Sequence, residues 1–154
     1  MGLISLLTGQ KKLSRAEYEF VNKRSKELAA SLNVMNSTDN LEKFFKNYHA
    51  AETSIMQIIE IAGEKTKCIA GESPKDCLES LHRDYITPLR SCLDRYIRKE
   101  TVRIMGLSRN RMKSAHGVAA IVEEYSQDMP TECVDFARTL VNDMLKKIEK
   151  LEAE

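Results

Sequence analysis

Residues 41–62 read LEKFFKNYHAAETSIMQIIEIA, and this stretch decides the fold. Leu41, Phe44, Tyr48, Ala51, Ile55, Ile58 and Ala62 recur with alternating spacings of three and four. Only a helix with 3.6 residues per turn brings such positions onto one side, so the pattern predicts an amphipathic helix with a continuous inward stripe. Phe45, Met56, Ile59 and Ile61 widen that stripe, so the helix is expected to pack against more than one neighbour. Gly63 is the expected stop, since glycine readily takes the left-handed conformation that closes a helix.

Working outward, the same period recurs on both sides. Upstream, Ser14 followed by Glu17 is a capping box and predicts a helix start. Tyr18, Val21, Ser25, Leu28, Leu32 and Met35 then share one face. The run Asn36-Ser37-Thr38-Asp39-Asn40 holds five residues that cap helices or form turns, and reads either as a tight turn or as a polar stretch within a longer helix. Downstream, 65–72 reads as a loop, and Ser73-Pro74 restarts a helix with serine as cap and proline in the first turn. Leu78, Leu81, Tyr85, Leu89, Cys92 and Tyr96 form the next seam. Pro88 lies inside it, lacks a backbone donor and predicts a kink near 84–88. Gly106-Leu107-Ser108 is an expected interruption, with Ser108 or Asn110 capping the next helix. Met112, Ala115, Ala119 and Val122 continue a stripe, Asp128-Met129-Pro130 marks a turn, and Cys133, Phe136, Leu140, Met144, Ile148 and Leu151 line the last helix. The expected architecture is all-α: a four- to five-helix bundle of antiparallel neighbours with a Pro-kinked third helix. A short apolar N-terminal segment, 1–12, precedes a single helical domain, 13–154.

Composition agrees. In 154 residues there are 6 Gly, 3 Pro and no Trp, too few turn residues for a sheet protein, and 42% hydrophobic with 31% charged residues suits a folded chain. No apolar stretch approaches the ~20 residues that span a bilayer. Cys68, Cys77, Cys92 and Cys133 include no C-x-x-C pair, and Met1 to Gln10 lacks the basic start of a signal peptide. Reduced thiols and a cytoplasmic location, with an alternative at a membrane periphery, are therefore expected. Cys92 and Cys133 fall on seams and read as small core residues.

Net charge is +1, but it is unevenly spread. Between Arg83 and Lys113 nine basic residues face three acidic ones, whereas from Glu123 to Glu154 nine acidic residues face four basic ones. Arg95, Lys99 and Arg103 stand at i, i+4 spacing on one face. With Arg98 and Arg111 they are the candidate anion-binding residues; the competing reading is a solvated face paired with acidic neighbours. Tyr85 and Tyr96 belong to the apolar seam, which leaves little for base stacking. His49 with Glu52, and Glu79 with His82, have the i, i+3 spacing from which di-iron bundles are built. Such a centre needs two Glu-x-x-His pairs and two more inward carboxylates, so no metal site and no cofactor is expected.

Arg109 and Arg111, each followed by His116, fit an Arg-x4-6-His spacing at a helix start. The spacing resembles the motif of the HEPN family of helical RNA-cleaving or nucleotide-binding domains. The resemblance implies that arginine and histidine of paired protomers flank a phosphate, with Arg109 or Arg111 stabilising developing charge and His116 moving a proton, as a metal-independent endoribonuclease. Asp84-Tyr85-Ile86-Thr87-Pro88-Leu89 with the basic and apolar residues after it looks like the middle-helix opening of BAR-type membrane-shaping bundles; the chain departs from that pattern because 129–152 is too short for their third helix.

The reading that results is a non-enzymatic interaction or scaffolding protein with a basic surface segment, 83–113, self-associating through the wide stripe on 41–62. Its partner is a protein or a second copy, and no small-molecule substrate is inferred. The alternatives are an RNA-directed domain using Arg109, Arg111 and His116 without other catalytic residues, and a peripheral binder of anionic membrane through 1–12 and the basic segment.

Overall fold

The computed structural model describes residues 13–154; the apolar segment 1–12 lies outside the described residues. The chain is all-helical. In order the helices are α1 (Arg15–Ser37), α2 (Leu41–Ala62), α3 (Pro74–Asp84), α4 (Ile86–Met105), α5 (Arg111–Ser126) and α6 (Thr131–Ala153). None is long and apolar enough to cross a membrane, among the described residues.

The punctuation read from the sequence is visible as hydrogen bonds. Ser14 Oγ accepts from the Glu17 amide at 3.1 Å, and Glu17 Oε1 accepts from the Ser14 amide at 3.0 Å, so two otherwise orphaned donors are satisfied reciprocally. The polar run resolves as a tight turn: Asn40 Oδ1 accepts from the Lys43 amide at 2.9 Å and caps α2. Gly63, at φ +79°, donates to the Ile59 carbonyl and ends α2. Ser73 Oγ accepts from the Asp76 amide at 3.2 Å, with Pro74 opening α3. Between α2 and α3, Ile69 and Glu72 exchange backbone hydrogen bonds around Ala70 (φ +50°) and Gly71 (φ +84°), the signature of a two-residue hairpin with both central residues left-handed.

Near Pro88 the helical run is divided. Helix α3 ends at Asp84, Tyr85 closes it with a 3.3 Å bond to the Leu81 carbonyl, and α4 begins at Ile86. Pro88 thus sits in the first turn of α4, where its missing donor falls among amides that have no intrahelical partner in any helix.

Contacts gather the chain into two compact units. One comprises 13–35 and Phe45–Tyr85, the other Asn36–Phe44 and Ile86–Glu154. Most of the stripe of α2 is buried: Phe44, Ala51, Ile55, Ile58 and Ala62 are at most 1% exposed, Leu41 is buried and Tyr48 is half-buried. Of the residues that widen it, Phe45 is buried, Ile59 and Ile61 are half-buried, and Met56 is 48% exposed. In the second unit α4, α5 and α6 pack against one another pairwise. Leu89, Cys92, Leu93, Ile104, Ala115, Cys133 and Ile148 are closed off from solvent there.

Candidate functional site

Three places in the described chain gather polar chemistry: the basic face of α4, a histidine–glutamate pair in the first unit, and a cleft in the second.

Seven of the nine basic residues of 83–113 are engaged by the chain itself; Arg109 and Lys113 have no such contact among the described residues. Arg95 donates from Nε and Nη2 to the Thr38 carbonyl at 3.3 and 3.1 Å, and from Nη2 to the Asn36 carbonyl at 3.2 Å. These carbonyls lie at and just past the C-terminus of α1, where backbone acceptors lack helical partners and a cation is favoured by the helix dipole. Lys99 Nζ stands 3.3 Å from Asp39 Oδ2. Arg98 donates to Asp94 at 3.0 Å and Arg103 to Glu100 at 2.8 Å, both within one turn of α4. Arg111 reaches Glu152 of the last helix at 3.9 Å. Arg90 lies over the Phe136 ring, 4.6 Å from its centroid. Arg83 bonds Asp84 at 2.9 and 3.1 Å, which holds the Asp84 carboxyl below its usual range.

The Arg-x4-6-His residues are spread over a loop and a helix. Arg109 is exposed between α4 and α5, Arg111 opens α5 half-buried, and His116 is exposed one and a half turns on. At 100° per residue Arg111 and His116 point about 140° apart around α5.

In the first unit, His82 Nε2 of α3 lies 2.7 Å from Glu52 Oε2 of α2. Each is half of one of the i, i+3 pairs read from the sequence, so the fold joins the two motifs through one member of each. Tyr48 packs beside them, its ring 4.7 Å from Tyr85, 5.5 Å from His49 and 6.5 Å from His82. Burial first, then the charge of Glu52, raises the Tyr48 phenol above its ordinary pKa. No group of three His, Cys, Asp or Glu side chains able to hold a metal forms among the described residues.

The cleft, of about 280 Å³, is built entirely within the second unit. Asn40, Leu41 and Glu42 supply it from the cap and first turn of α2, Tyr96 from α4, and Ile121, Glu124 and Tyr125 from α5. The last three stand at i, i+3 and i+4, which places them on one helical face. Tyr125 is raised in pKa by burial and then by Glu42 and Glu124; Tyr96 is raised by burial and by Glu100, opposed by Arg103, and raised further by Tyr125. The phenols and carboxylates therefore share one electrostatic neighbourhood of negative sign. Neither Glu42 nor Glu124 forms an ion pair among the described residues. Arg103, whose charge acts on Tyr96, is itself bound to Glu100.

Of the cleft residues, the sequence singled out Leu41 and Tyr96 as seam positions and Asn40 as a member of the cap-forming run. The triplet Ile121, Glu124 and Tyr125, one step round α5 from the stripe of Ala115 and Val122, was the signal available.

Comparison of the chain with family models, with curated proteins and with solved structures returns no match.

Proposed function

We propose that this chain is a non-enzymatic helical interaction module, working through its surfaces on protein partners or on a second copy of itself. The observation that carries the reading is the disposition of the cations of α4 and the start of α5. Arg95, Arg98, Lys99, Arg103 and Arg111 each meet a carboxylate or a carbonyl of their own chain. A phosphate approaching that face competes with partners already in place, which supports reading the charge run as a solvated, internally paired face. The short connections 106–110 and 127–130 favour antiparallel neighbours among α4, α5 and α6, the bundle geometry expected of such a scaffold.

We assign self-association to α2, where Met56, on the flank of the buried stripe, stands 48% exposed. Sedimentation equilibrium over micromolar concentrations tests this: a concentration-dependent dimer weakened by Met56→Glu supports it, and a monomer at every concentration removes self-association. The same preparation tests the alternatives. Cleavage of RNA that His116→Ala abolishes replaces the interaction reading with the RNA-directed one. Co-sedimentation with vesicles that rises with their anionic lipid content replaces it with membrane binding.

A further inference from the structure

The α5–α4–α2 cleft carries a more specific statement about what the module holds, and it rests on the interaction reading above. We propose that the cleft lined by Tyr96, Tyr125, Glu42 and Glu124 receives a single basic side chain, lysine or arginine, presented by a protein partner.

Size comes first. Sites for drug-sized ligands and cofactors run from roughly 300 to 1,000 Å³. At about 280 Å³ this cleft lies at the low end of that range, with room for one long side chain. Its walls have the two-part chemistry that a long basic side chain needs. Ile121, Leu41 and the phenol rings offer apolar area to an aliphatic stem, and the faces of aromatic rings attract the cation at its tip.

Charge decides between a cationic and a neutral occupant. Glu42 and Glu124 stand on different helices, both exposed, and neither has an ion-pair partner among the described residues. Elsewhere in the same unit, carboxylates facing α4 are matched: Asp39 with Lys99, Asp94 with Arg98, Glu100 with Arg103. Burial is the main reason Tyr125 is raised, and the charges of Glu42 and Glu124 add to it; those same charges favour an incoming cation. An anion meets two carboxylates here and is repelled. A neutral apolar side chain leaves both of them partly stripped of water with nothing in return.

The test uses the full chain and three synthetic peptides, identical except for a central lysine, arginine or norleucine flanked by glycine and serine. Binding is read from the NMR shifts of the Ile121 methyl groups and of the Tyr96 and Tyr125 rings. The lysine or arginine peptide is expected to move these resonances saturably, and the norleucine peptide at least about tenfold more weakly, the scale of a desolvated cation–aromatic contact plus a charge pair. Glu42→Gln combined with Glu124→Gln replaces two exposed side chains, leaves the helical fold intact by circular dichroism, and weakens the basic peptides about tenfold. Tyr125→Leu keeps the apolar wall and weakens them about threefold to tenfold.

Equal binding of norleucine, unchanged affinity in the double Gln variant, or no binding of any basic peptide overturns the inference. Sedimentation of the same variants separates the two claims. A dimer that persists while basic peptides fail leaves the interaction reading standing without the cleft. Peptide binding in a chain that stays monomeric keeps the cleft and removes only self-association.

Discussion

The basic face of α4 and the cleft beside it belong to one structural unit and share one helix, yet they treat charge in opposite ways. On the face, nearly every formal charge is answered within the chain, by the Asn36 and Thr38 carbonyls, Asp39, Asp94 or Glu100. In the cleft, two carboxylates stand against two tyrosines with no ion-pair partner among the described residues. A cluster of like charges in a sequence therefore says little about where a surface is charged. A pair of glutamates 82 positions apart, which no inspection of sequence would group, says more.

That contrast can be broken or sharpened by measurement. The largest expected effect is at Arg95. Its guanidinium bonds two carbonyls from a half-buried position, so Arg95→Ala removes a charge-assisted contact and leaves those acceptors exposed or unpaired. A loss of about 1.5–2 kcal/mol in urea unfolding is expected. A neutral result there would mean that the face is ornamental and free to bind anions. Next is Asn40→Ala, which deletes the cap of α2 next to both Arg95's acceptors and the cleft. About 1 kcal/mol is expected by the same measurement. Smaller still is Arg98→Ala, which breaks an exposed pair within α4. It should cost under about 0.5 kcal/mol, shrinking further in high salt.

The smallest effect is read in the phenols. Burial, reinforced by Glu42 and Glu124, raises Tyr125, and burial raises Tyr96 as well. The folded chain then holds these protons where the unfolded chain has released them. Stability from this source is full below the ordinary tyrosine pKa of 10.0 and is lost as pH climbs through the raised folded values. Ultraviolet titration of tyrosinate should show late-ionising phenols, and Glu124→Gln should bring one of them earlier. Titration unchanged by that substitution would separate the carboxylate from the cleft.

How far the sequence led is best judged on particular residues. Helix boundaries were legible because they are fixed by local chemistry: Ser14 with Glu17, Gly63, and Ser73 with Pro74 act within three or four residues of the amides they serve. The inward stripe of α2 was legible for the same reason, since one period orders it. Pro88 marked the right neighbourhood, but whether a proline bends a helix or divides it depends on how the downstream segment packs. The partners of the basic residues were illegible. Arg95 bonds a carbonyl 57 positions earlier, and no periodicity spans a turn of undetermined shape. The cleft was illegible as a whole because three segments meet there, each with an ordinary pattern of its own. Only the Ile121, Glu124 and Tyr125 triplet could have drawn notice.

The division of the chain has a practical consequence for anyone who would dissect it. Each compact unit is assembled from two separated stretches: the polypeptide enters the second at Asn36, leaves it at Phe44, and does not return until Ile86. A cut anywhere from 45 to 85 yields fragments that hold neither unit whole, whereas one between Tyr85 and Ile86 leaves both stretches of the first unit on one fragment and strands 36–44 there. On the ribosome the 36–44 segment emerges well before the three helices it belongs with, and closing so long an excursion is entropically slow. Shortening the gene after Tyr85 keeps the first unit, but isolating the second calls for reordering, so that 36–44 is joined to the helices after Ile86.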